Sequence, residues 1–260
     1  MKSAFGLASA FLVLVVLLPS PGRAQGAIIE TLDDLLNRPD APAFRGTLPG
    51  RIDLTASLPA PGNQGPTGSC TSWAVTYAAA SQAARRAGLG ASIKLSPAFT
   101  YNRVSGDRRC VAGTTASSTL DLLRDVGALP VEEFAFDGGW CGRLPTDGEL
   151  QRAAKYRIKS WSKLDATHVE EVKAQLARGV PVAFAMRTSK EFHDLKGDSV
   201  FDPPGVLNGE GHTMIAVGYD DARKAFRIQN SWGRAFGDGG YAWLSYDFWV
   251  RNMHAGYVID

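Results

Sequence analysis

An α+β protein of two lobes, the first helical and the second rich in strands, is predicted from three observations. An Ala-rich segment runs from Cys70 to Arg86 with no helix breaker before Gly88. From Tyr156 onward, apolar and alternating runs are joined by turns rather than helices, which points to an antiparallel sheet or barrel. Between these regions, residues 128–150 read as loop, with Gly138, Gly139, Gly142 and Pro145. The boundary between the lobes is therefore placed near 150–158.

The chain opens Met1-Lys2 and runs apolar from Ala4 to Leu18, interrupted only by Ser9, before Pro19-Ser20-Pro21-Gly22-Arg23-Ala24. One early cation, a short apolar stretch and small residues at its end predict a secretory signal peptide over 1–24. The apolar run is short for a membrane span, and a proline pair ends it. Lys2 and Arg23 leave with the leader, so 28 basic residues become 26 against 26 acidic ones. The balanced charge of the mature chain does not point to a surface for nucleic acid or an anionic membrane, and neither is expected as a partner. Its expected place is the periplasm or the cell exterior, and a monomer is expected.

Residues 25–48 form a short N-terminal extension. Ile29 to Leu36 can make one or two helical turns with Thr31 as a cap, and Pro39, Pro42 and Pro49 then break regular structure. The extension is expected to lie across or beside a cleft as a minimal regulator, or to tie the lobes together. Arg51 to Leu54 reads as a short extended piece. The loop Asn63-Gln64-Gly65-Pro66-Thr67-Gly68-Ser69 leads into Cys70, which sits in the first turn of the Ala-rich helix. A thiol there feels the positive end of the helix dipole, which favours the nucleophilic thiolate. Small residues on several faces suggest a central, closely packed helix. Leu95 to Tyr101 starts a second helix, with Ser96 as cap and Pro97 at the first position, and Ser118–Val126 is a third. In the second lobe, strands are predicted over Tyr156–Trp161, Pro181–Met186, His212–Tyr219, Ala225–Asn230 and Gly239–Leu244, with a helix over Asp165–Arg178.

Three cysteines are present, Cys70, Cys110 and Cys141. An oxidising compartment favours pairing, and an odd count leaves one thiol over. Cys110 and Cys141 lie in a loop-rich region, so a disulfide between them with Cys70 free is expected. The alternative, a bridge that uses Cys70, would abolish its reactivity.

His212 opens a strand after a turn-rich segment, and Asn230 closes the strand that pairs with it across the Asp220-Asp221 turn. The two can be cross-strand neighbours. An Asn oxygen accepting from one imidazole nitrogen fixes the ring and leaves the other nitrogen to face a nucleophile. His168, His193 and His254 are scattered without metal-ligand spacing and read as surface residues; no metal or cofactor is expected. Trp243 reads as a core aromatic.

Three blocks together resemble a papain-like cysteine peptidase: Asn63-Gln64-Gly65 through Gly68-Ser69-Cys70; Gly211-His212-Thr213 through Gly218-Tyr219; and Asn230-Ser231-Trp232-Gly233 through Gly239-Gly240-Tyr241. The resemblance covers roughly residues 48–250 and is of a type without a full pro-domain. It implies two lobes, residues 49–154 and 155–260, the second an antiparallel, barrel-like sheet, with a cleft between them. Position by position, Cys70 would be the nucleophile held as a thiolate, and His212 its ion-pair partner and general acid. Asn230 would orient His212. Gln64 would join the Cys70 N–H in an oxyanion hole, and Trp232 would shield the His–Asn hydrogen bond. Gly68, Gly113, Ala185, Gly211 and Trp232 would border the bound substrate. Cys110 and Cys141 fall near a usual family bridge. The chain departs from the pattern at Thr67, where a cysteine is usual, and at Thr71, where an aromatic is usual. The implied activity is that of an exported endopeptidase acting on peptides or proteins through a thioester acyl-enzyme, with proteinaceous inhibitors as further partners. Transpeptidation or amide hydrolysis by the same site, and peptide binding without catalysis on the same scaffold, are the competing readings.

Overall fold

The long helix that begins at Cys70 is the strut between the two lobes. The computed structural model describes residues 26–138 and 141–260; the expected leader over 1–24 lies outside them. The helix runs α-helical over Cys70–Ser72, π-helical over Trp73–Ala80, and α-helical again over Ser81–Arg86. A π-helical stretch is rare and is found most often beside functional sites. Val75, Ala78, Ala79 and Ala80 are buried, and their small side chains let helices Pro97–Val104 and Ala116–Asp125 approach closely. Ser96 caps the first of these by accepting from Phe99 N, and Thr115 caps the second by accepting from Ser118 N.

The second lobe is built on strands β1 (Arg51–Asp53), β2 (Trp161–Asp165), β3 (Val182–Arg187), β4 (Val200–Phe201), β5 (Gly211–Asp220), β6 (Ala225–Gln229), β7 (Tyr241–Ser245) and β8 (Ala255–Ile259). They form one sheet of order β2-β8-β3-β5-β6-β7-β4, with β1 paired to β5 off this path. All pairings are antiparallel except β4 with β7. The expected barrel-like closure is not found: the sheet is open, with β2 at one edge and β4 at the other. β5 is central and buried on both faces, which explains its unbroken apolar run. Ile215 and Val217 face the helical lobe and join Val75, Ala78, Phe99, Leu120, Ala183 and Tyr257 in one core. Met214 and Ala216 face the other way, into a core with Phe184, Met186, Phe226 and Trp249.

The strand expected over Tyr156–Trp161 is a 3₁₀ turn, Ala154–Tyr156, followed by an irregular link, and β2 starts only at Trp161. Its alternation arises because Tyr156 and Ile158 pack on the helical core, where Ile158 N bonds Leu123 O. The stretch expected as loop up to 150 contains helix Asp147–Ala153, closed by a capping box between Thr146 and Glu149. Residues 31–48 tie the lobes from outside. Leu35 enters the helical core, Arg38 pairs with Asp121, and Asp40 bridges Lys163 on β2.

Candidate active site

Two backbone features bring the site together. The first turn of the Cys70 helix abuts the start of β5, so that Cys70 and His212 are each followed by a threonine, and these threonines meet: Thr71 Oγ1 lies 3.0 Å from Thr213 Oγ1. Thr71 also donates to Thr114 O at 3.1 Å, so its single proton is used there and Thr213 is the donor to Thr71. Thr71 thereby joins the helix start, the 110–115 loop and β5. No residue pattern in the sequence pointed to this role.

Asn230 is the first residue past the β5–β6 ladder. Its Oδ1 accepts from His212 Nε2 at 2.7 Å and from Ser231 N at 2.7 Å. The imidazole is thereby held with its proton on Nε2, and Nδ1 is the basic nitrogen. Nδ1 is buried with no hydrogen-bond partner among the described residues. Trp232 stacks on the ring at 4.5 Å between centroids. His193, expected on the surface, also stacks on Trp232, at 4.6 Å between centroids. Helix Lys190–His193 places it there, and Ser189 caps that helix.

Gln64 is fully buried. Ser231 Oγ donates to its Oε1 at 2.7 Å, its Nε2 donates to Thr67 O at 2.8 Å, and its backbone N bonds Ser231 O. Thr67 donates in return to Gln64 O at 2.8 Å, and its hydroxyl lies 2.6 Å from that of Ser69. Hydroxyl contacts therefore brace the loop where a disulfide would otherwise do so. Cys110 and Cys141 are joined, 5.4 Å apart at Cα, and Cys70 is a free, buried thiol. Cys110 O accepts from Gly68 N at 2.7 Å, which links the bridged loop to the loop before Cys70.

Residues 26–28 lie between the loop at Gly113 and Thr114 and the start of β5. Ala27 N donates to Gly211 O at 3.2 Å, Thr114 N to Gly26 O at 2.7 Å, and Ile28 N to Thr114 O at 3.0 Å. A β-carbon on Gly26 would stand 1.9 Å from Gly68 O, one on Gly113 2.4 Å from Gly26 O, and one on Gly211 2.3 Å from Ala27 O. The three glycines expected to border substrate thus border residues 26–28 instead. Ala185 on β3 pairs with Thr213 and is buried.

This cover decides the electrostatics. Burial pushes the Cys70 thiol up, against the pull of the Thr213 and Gly26 amides and of the Thr71 hydroxyl and amide. Burial likewise lowers the His212 pKa to about 4; the Asn230 hydrogen bond works against this, and the charge of His193 adds to it. Burial thus opposes the charged form of both groups, and the Thr213, Gly26 and Thr71 donors counter that effect at the thiol, as the Asn230 hydrogen bond does at the imidazole.

The model of the papain family cysteine proteases matches residues 48–254. An uncharacterized peptidase C1-like protein of Acanthamoeba polyphaga mimivirus is 23% identical over 216 residues, covering 72% of this chain and 68% of the viral one. Cathepsin R of Mus musculus is 27% identical over 207 residues, covering 74% of this chain and 58% of its own length. Among solved structures, xylellain, a cysteine protease from Xylella fastidiosa, superposes with a TM-score of 0.81 at 24% identity, covering 94% of this chain and 98% of that one. The bromelain protease of Ananas comosus, solved in complex with the E64 inhibitor, superposes with a TM-score of 0.69 at 19% identity, covering 82% of this chain and 99% of that one.

Proposed function

The chain belongs to the papain family of cysteine proteases, and on that premise we propose that it is an exported endopeptidase whose Cys70, His212 and Asn230 cleave peptide bonds through a thioester. One observation carries the reading: a hydrogen-bonded His212–Asn230 pair, sealed by Trp232, with the imidazole's second nitrogen unengaged and a free thiol at the start of the adjoining helix. In this reading His212 Nδ1 takes the thiol proton. Cys70 Sγ then attacks the peptide carbonyl, and the proton passes to the leaving amine. The Cys70 N–H and the Gln64 side-chain amide, braced by Ser231 and Thr67, stabilise the oxyanion. Water then releases the acyl group. Export is supported by the Cys110–Cys141 bridge.

Residues 26–28 hold the enzyme latent. The Gly26 amide faces the Cys70 sulfur, and an N–H offers no carbon to attack. Withdrawal of this strap readmits water and lets the thiol and imidazole ionise as a pair. The test is labelling by E64. Intact-mass and peptide mapping are expected to show one adduct, on Cys70, forming slowly in the intact chain. An adduct elsewhere, or equal labelling of Cys70→Ala, would refute the assignment.

A further inference from the structure

The strap does more than cover the thiol. Two residues beyond Ile28, Glu30 sends its carboxylate between the lobes to three donors. Ser117 N donates to Oε2 at 3.0 Å, Ser117 Oγ to Oε1 at 2.5 Å, and Tyr257 Oη to Oε2 at 2.9 Å. Ser117 N is one of the amides at the start of helix Ala116–Asp125 that has no partner within the helix, since Thr115 caps Ser118 N. Tyr257 is only 3% exposed. Among the described residues Glu30 forms no ion pair. Its charge is met by neutral donors and by the positive end of a helix.

These donors lie on the floor that continues from the thiol. Thr213 meets Thr71 beside Cys70, Ala185 pairs with Thr213, and Ala183, two residues along β3 and on the same face, pairs with Tyr257. At about 3.3 Å per residue, Glu30 lies within reach of the fourth residue of an extended peptide counted from Cys70.

Resting on the reading of this site as a latent peptidase, we propose that the Ser117 amide, the Ser117 hydroxyl and the Tyr257 hydroxyl form a specificity pocket for an acidic side chain of the substrate, with Glu30 as its occupant in the latent state. When the strap leaves, a buried phenol and a helix-start amide lose their acceptor, and a substrate glutamate restores it. Glutamine restores it only in part, because its amide nitrogen accepts nothing from the Ser117 hydroxyl and carries no charge for the helix end.

The test uses the full chain carrying Gly26→Val and Glu30→Gln, which displace the strap and vacate the pocket, with a positional library of fluorogenic peptides. At one position within four residues of the scissile bond, glutamate is expected to exceed glutamine about tenfold or more in kcat/KM. Adding Tyr257→Phe, which keeps the ring, or Ser117→Ala is expected to reduce that ratio to a few-fold or less. Hydrolysis with no preference for glutamate at any position, or a preference unchanged by both substitutions, would overturn the pocket while leaving the peptidase standing. Hydrolysis of no peptide at all would overturn the peptidase reading and the pocket with it.

Discussion

Gly26→Val is the most incisive perturbation of the strap, because the geometry fixes its outcome. Even one β-carbon would lie 1.9 Å from Gly68 O and 2.4 Å from Gly68 C. Both are backbone atoms that cannot swing aside, since Gly68 is itself held by Cys110 O. The tip of the strap must therefore leave. Three backbone hydrogen bonds leave with it, those between Ala27 and Gly211, Gly26 and Thr114, and Ile28 and Thr114. At about 0.5–1.5 kcal/mol net for each, closure weakens by about 1.5–4.5 kcal/mol. Each 1.4 kcal/mol is a factor of ten, so the open fraction rises by about 10- to 1,000-fold, until the open form predominates. The assay is the second-order rate of alkylation of Cys70 by iodoacetamide under native conditions, read by intact mass. The thiol should react about 10- to 1,000-fold faster in the variant, with the melting temperature lowered only modestly because residues 31–48 keep their own anchors. An unchanged alkylation rate in a folded Gly26→Val protein would refute the claim that the strap controls access.

Other outcomes follow from the same structure. Asn230→Ala removes the acceptor that fixes His212, a hydrogen bond to a group that becomes charged during the reaction; at about 1.5–3 kcal/mol, kcat should fall about 10- to 150-fold, and an undiminished kcat would exclude the orienting role. Thr71→Val strands Thr213 Oγ1 in the interior, while Thr114 O keeps the Ile28 amide; at about 1–3 kcal/mol for an unsatisfied buried group, chemical denaturation should show that loss, with Thr71→Ser recovering most of it. The His212 pKa, lowered to about 4 by burial, lies below the value of about 6.5 expected in an unfolded chain. Between those values the unfolded chain binds more protons at His212, so this contribution to stability is complete above pH 6.5 and is lost as pH falls toward 4. Melting temperature should accordingly fall with acid across that window, and less steeply in His212→Gln; identical slopes would contradict the burial argument. Reduction of the Cys110–Cys141 bridge, with a sequence separation of 31, should cost about 3–4 kcal/mol in the chain-entropy model, measured as a shift in the denaturation midpoint.

What the sequence revealed of this site, and what it concealed, divides along a physical line. Cys70, His212 and Asn230 are legible because each stands at an element boundary beside glycines or a turn, in blocks whose order is distinctive. The long helix, β3, β5 and β6 are legible because their periodicity is imposed by burial. The strap is not: Gly26-Ala27-Ile28-Ile29-Glu30 has no local pattern, and its conformation is set by backbone partners at Gly211 and Thr114 far along the chain. Ser117 and Tyr257 are hidden for the same reason, since two hydroxyls 140 positions apart become a site only through β-sheet register. His193 carries no local sign of its stack on Trp232. At Cys70 two effects oppose each other, and only one is local: the helix start favours a thiolate, while the burial that raises the thiol depends on the strap. The sheet's openness could not be read from strands whose pairing order is invisible in sequence.

In the proposed reading, Cys70 and His212 form a competent hydrolytic site held shut by residues 26–28. Turnover of a peptide library by full-length Gly26→Val, set beside the same protein carrying Cys70→Ala, tests it most directly. Sustained hydrolysis is expected from the first and none from the second; equal hydrolysis by both, or an intact library after incubation with the folded Gly26→Val protein, would refute the proposal.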